Sequence, residues 1–158
     1  MIWHNGAIIH PATSSAPFPH TDLPADLLPD YEEARAIVAT SPRGACALLR
    51  YIIDRLTVNL GGKPADSIND RIAYLIREKG LAPQAQKALD AVRVIGANAV
   101  HPLELDLKDN VDLATKLFGL INGIVEDTIT RPAAIAAIYG ALPPRNLAAI
   151  EKRDQKKS

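Results

Sequence analysis

Between Asp90 and Pro102 the chain places Arg93, Gly96, Asn98 and His101 in one short stretch that otherwise reads as buried helix. Polar groups that interrupt an apolar helix face must each find a partner or perform chemistry. Arginine presents a planar fork that matches two phosphate oxygens. An imidazole moves a proton near neutral pH. Arg93, Asn98 and His101 are therefore the candidate catalytic set. In metal-free cleavage of RNA, Arg93 would stabilise charge on the phosphate while His101 handles a hydroxyl or leaving-group proton. In an unbroken helix Arg93 and His101 would stand roughly 12 Å apart along the axis and about 80° around it. Convergence then relies on the length of arginine, on Gly96 loosening the helix, and on the chain turning before Pro102. A packing role competes and leads on residue types alone. In it Arg93 pairs with Asp90 or Glu126, Asn98 satisfies nearby backbone, and His101 binds loose carbonyls at a helix end.

Two other arginines suit an anion. Arg43 follows Ser41-Pro42 in the first turn of a helix, where its charge opposes the macrodipole but could assist anion capture. Arg50 lies near the apolar face of the same helix, with a salt bridge at the rim as its plainer role. Asn122 and Glu126 stand four residues apart on a later helix, either as partners for His101 or as ordinary polar positions. His4, His10 and His20 sit in the N-terminal arm without an acid cluster and read as solvated. No metal and no cofactor is expected: the single cysteine, Cys46, rules out cysteine-rich zinc chemistry and sits among alanines and leucines as a packing residue.

The elements that must position these groups are helical. Residues 1–29 form an extended arm punctuated by five prolines, with one short strand near Ala7–His10 and with Trp3, Ile8, Ile9 and Phe18 available to pin it. The helical domain spans 30–145. Asp30 reads as the cap of a helix reaching Thr40, and Ser41-Pro42 opens a second with Leu49, Ile52, Ile53 and Leu56 on its apolar stripe, closed by Gly61-Gly62. Ser67 caps a third, ended by Gly80, and Pro83 opens a fourth that ends before Pro102. Asp109 caps a fifth running to Ile129, Thr130-Arg131-Pro132 breaks the chain, and a shorter helix reaches Tyr139. Residues 146–158 form a tail with a turn or two of helix and a disordered end. The expectation is an all-α, up-and-down bundle of about five or six helices.

Lysine plus arginine equal aspartate plus glutamate at 18 each, so no global field draws the chain to polyanions or membrane. Aromatic residues are too few for a base-stacking platform. The start lacks the pattern of a secretory signal, no run suits a bilayer, and a cytoplasmic location is expected.

Residues 24–154 resemble the bacterial DUF4145 domain family. The likeness lies in Leu23-Pro24-Ala-Asp26, Tyr31-Glu-Glu33-Ala34, Ser41-Pro42-Arg43-Gly-Ala45, Leu48-Leu49-Arg50 and Leu89-Asp90-Ala-Val-Arg93-Val-Ile-Gly96, then in Asn98-Ala-Val-His101-Pro102, Leu117-Phe118-Gly-Leu120-Ile121-Asn122 and Ile124-Val125-Glu126. The resemblance implies a helical domain similar to the HEPN superfamily, a place in a bacterial defence or mobile-element system, a homodimer, and RNA or a nucleotide as ligand. It also implies metal-independent ribonuclease chemistry in catalytic relatives, whose arginine and histidine stand closer than the seven residues between Arg93 and His101. Other relatives are non-catalytic interaction and dimerisation domains, so the alternative here is a module that docks another protein. Relatives also carry a zinc-binding segment, which this chain lacks the cysteine pairs to build.

Overall fold

The computed structural model describes residues 2–4, 7–9, 14–99 and 110–157, with side chains from 14 onward in those ranges. Seven helices follow one another among these residues: α1 (Leu28–Ile37), α2 (Pro42–Asn59), α3 (Ile68–Lys79), α4 (Pro83–Asn98), α5 (Val111–Val125), α6 (Arg131–Gly140) and α7 (Pro144–Gln155). Ahead of the bundle, β1 (Ile2–His4) and β2 (Ala7–Ile9) pair antiparallel, Ile2 opposite Ile9. The expected strand is therefore present together with a partner that three-residue strands are too short to announce by alternation.

The all-α expectation holds, and α2 is its centre: α1, α3, α4 and α5 all pack on it. The stripe Leu49, Ile52, Ile53 and Leu56 is fully buried and meets Leu89 and Val92 of α4 and Leu117, Phe118 and Ile121 of α5. Each such side chain contributes about 1.5–3 kcal/mol on burial. Tyr31 of α1 meets Phe118 edge to face, with ring centres 5.3 Å apart. Its hydroxyl donates to the Pro17 carbonyl at 3.1 Å. Burial pushes the Tyr31 phenol up to about 12 and the Cys46 thiol up to about 11, in line with Cys46 as packing.

Local chemistry sets the helix ends. Ser41 Oγ accepts from the Gly44 N–H at 3.2 Å and Ser67 Oγ from that of Asp70 at 3.1 Å, satisfying donors left over at each start. Gly80 takes a left-handed conformation at φ 65°, and the next N–H, of Leu81, returns to the Leu75 carbonyl at 3.1 Å. Arg71 is buried and ties the 63–66 loop to α2: its Nε donates to Thr57 Oγ1 at 2.9 Å, and its other nitrogens reach the Asp66 carbonyl and the Asp54 carboxylate.

Four sequence expectations need correction. α1 begins at Leu28, so Asp30 lies in its first turn instead of capping it, because Pro29 is tolerated there. It also stops at Ile37, short of Thr40. Asn110, not Asp109, supplies the α5 cap, its Oδ1 accepting from the Leu113 N–H at 2.9 Å; Asp109 lies outside the described residues. Thr130-Arg131-Pro132 does not break the chain: a π-helical turn at Glu126–Thr130 carries α5 directly into α6. The wider turn gives room to a proline ring that an α-helical turn would crowd. Finally, the C-terminal segment is a full helix, α7, with Pro144 in its first turn.

Candidate functional site

Arg93, Asn98 and Gly96 all lie on the second half of α4, which runs as regular helix to Asn98. Gly96 therefore does not loosen the helix. Its role is contact: a Cβ there would stand 2.4 Å from Arg50 Cβ and 2.9 Å from the Cys46 carbonyl oxygen. The missing side chain is what lets α4 lie against α2 at this level. Arg93 pairs with Asp90, Nη2 to Oδ1 at 3.3 Å, one helical turn away, and its side chain stays 30% exposed. Asn98 Nδ2 donates to the Val94 carbonyl at 3.0 Å, so its amide serves its own helix. His101 lies outside the described residues.

Among the described residues Arg50 has no salt bridge at the rim. Among the described residues it makes no hydrogen bond, and its Nε is buried without a partner. It lines an open cleft of about 380 Å³ with Ala47, Tyr51, Asp54, Ser67, Ile68 and Gly96. This cleft joins α2, the start of α3 and the close contact with α4. Arg43 stands seven residues earlier on the same side of α2, roughly 10 Å along the axis, exposed and outside the cleft.

Asn122 and Glu126 hold the N-terminal arm, while His101, the partner weighed for them, lies outside the described residues. Glu126 Oε2 accepts from His20 Nε2 at 2.8 Å. His20 Nδ1 accepts from the Asp22 N–H at 3.0 Å, which places the ring proton on Nε2. Asn122 takes the His20 N–H on Oδ1 at 3.0 Å and donates from Nδ2 to the Phe18 carbonyl at 2.9 Å. Thr130 Oγ1 donates to Asp22 Oδ2 at 2.6 Å. His20, read as solvated, is thus only 18% exposed and latches the arm to α5 and the π turn. Nothing local in the sequence marks this, because its partners lie a hundred residues away.

Phe18 was expected to pin the arm and is instead 77% exposed. The Arg35 guanidinium covers its ring at 4.2 Å. Ala16, Leu23 and Leu27 do the pinning. The side chains of Trp3, Ile8 and Ile9, and those of His4 and His10, lie outside the described residues. Among the described residues no cluster of His, Cys, Asp or Glu has the makings of a metal site. No helix there is long and apolar enough to cross a membrane.

α6 and α7 bury no residue. Ile135, Ile138 and Tyr139 are 59%, 71% and 48% exposed. No curated protein and no solved structure matches this chain. One family model does, over residues 32–153, under the description domain of unknown function (DUF4145).

Proposed function

We propose, from the premise that the chain belongs to the DUF4145 family, that it is a HEPN-like helical module of a bacterial defence or mobile-element system. In this reading it works in the cytoplasm as a homodimer, holds RNA or a nucleotide, and has no cofactor. The observation that carries the module reading is the apolar face of α6, exposed at Ile135, Ile138 and Tyr139. Helices of this length gain little from propensity alone and depend on burying a face. A second copy suits the surface. Beyond Arg131, already paired with Asp127, α6 carries no charge, so two such faces meet without repulsion. Light scattering across concentration tests this. The expected result is a dimer that Ile138→Glu converts to a monomer with unchanged helicity. A wild-type monomer at every concentration would overturn the homodimer and leave docking of another protein.

Metal-independent RNA cleavage is the second reading, with Arg93 holding the phosphate and His101 moving the proton. The partial exposure of Arg93 favours it, while its pairing with Asp90 and the engagement of Asn98 with its own helix weigh against it. Labelled RNA incubated with EDTA should remain intact. Cleavage that disappears in His101→Ala would reverse that order.

A further inference from the structure

We infer that the cleft between α2, the start of α3 and Gly96 binds a phosphate group, with the Arg50 guanidinium as its anchor. The inference gives a place to the nucleotide-holding part of the proposed function and rests on that part alone, not on the dimer.

Arg50 differs from the other arginines of the molecule. Arg35, Arg55, Arg71, Arg77, Arg93 and Arg131 each reach a carboxylate, as does Arg153. Arg43 and Arg145 reach none but are exposed, where water serves them. Arg50 alone combines partial burial with the absence of any carboxylate or carbonyl partner among the described residues. Its Nε is shut away from water without an acceptor, which is costly, and such an atom calls for an explanation.

The surroundings say which partner is missing. The one carboxylate on the cleft, Asp54, is already engaged by the buried Arg71, so its charge is answered from the other side. Among the described residues, that leaves Arg50 without a carboxylate to answer its charge. The backbone of Gly96 lies against the Arg50 stem, at a distance where any side chain would collide. Tyr51 Oη accepts from Arg55 Nη1 at 3.3 Å, leaving its own proton to donate. The opposite wall is the start of α3, where Ser67 Oγ takes the Asp70 N–H and the Ile68 N–H has no intrahelical acceptor. Arg50, Tyr51 and the start of α3 all line this one space, and an anion with several oxygens is the acceptor that suits such donors. A volume of about 380 Å³ holds more than the anion itself. The ligand class is therefore a phosphate monoester, either a free nucleotide or the terminal phosphate of an RNA strand.

The test is calorimetric titration of the full chain with AMP, adenosine, inorganic phosphate and a short 5′-phosphorylated RNA. AMP should bind saturably, phosphate should compete, and adenosine should not. Arg50→Gln should weaken AMP by about tenfold or more, Arg50→Lys by less, and Arg145→Gln not at all. Tighter binding of the RNA than of AMP assigns the site to RNA ends, and the reverse order assigns it to nucleotides. In wild-type protein, needing no substitution, AMP should shift the backbone amide resonances of Gly96, Ser67 and Ile68. No saturable binding of any phosphate probe would overturn the proposal. So would undiminished binding in a folded Arg50→Gln, or a loss caused by Arg93→Gln instead. Dimerisation is read separately by light scattering, so either idea can fail while the other stands.

Discussion

The α2-centred bundle and the α6–α7 segment are built from similar residues and use them in opposite ways. In the bundle the stripe of α2 disappears against α1, α3, α4 and α5, and Leu49, Ile52, Ile53 and Leu56 are sealed from water. In α6, isoleucines at comparable spacing stand open to solvent. Hydrophobicity alone does not say where a helix goes. What differs is the number of neighbours that the chain itself supplies.

The contrast can be broken by substitution. Phe118→Ala, deep in the bundle and under the Tyr31 ring, should cost about 3–5 kcal/mol in urea unfolding. Ile138→Ala, measured in the monomer, should cost less than about 0.5 kcal/mol. Equal losses would mean that α6 is part of the same core. Arg71→Met comes next, at about 3 kcal/mol, because it abandons Asp54 and the loop carbonyls inside the fold. Gly96→Ala should cost about 1–3 kcal/mol by forcing α4 away from Arg50.

A smaller effect sharpens the comparison through pH. Tyr31 ionises near 10.0 when unfolded and near 12 in the bundle. A folded value above the unfolded one contributes stability below pH 10 that is lost as pH rises toward 12. Between about pH 10 and 11 stability should therefore fall by roughly 1 kcal/mol on account of Tyr31. The raised Cys46 thiol acts in the same direction from pH 9.0 upward. Tyr31→Phe should remove its share of the slope, read by urea melts at several pH values. Of similar size, His20→Ala should cost about 1 kcal/mol and loosen amide exchange in residues 16–24.

The helices themselves were legible because their signals are local. Ser41-Pro42, Ser67 and Gly80 act within one turn, and the stripe of α2 repeats over four turns. The π turn was not legible. A proline after threonine and arginine normally ends a helix, and only the backbone shows the wider ring that lets it continue. Of the candidate site, the pairing of Arg93 with Asp90 could be read from an interval of three residues. The isolation of Arg50, the latch of His20 on Glu126 and the burial of Arg71 depend on which helices meet, which no short window encodes.

The π turn at Glu126–Thr130 also sets an angle. In a plain helix, Ile135 and Ile138 would fall within about 40° of Ile121 and Ile124, fourteen residues earlier, and would continue their line. A π turn takes in one residue beyond the α-helical count, which swings everything after it by roughly 100°. The turn acts as a phase shifter. It directs the second pair of isoleucines away from the line of the first, so that one continuous rod offers its grease to two different audiences.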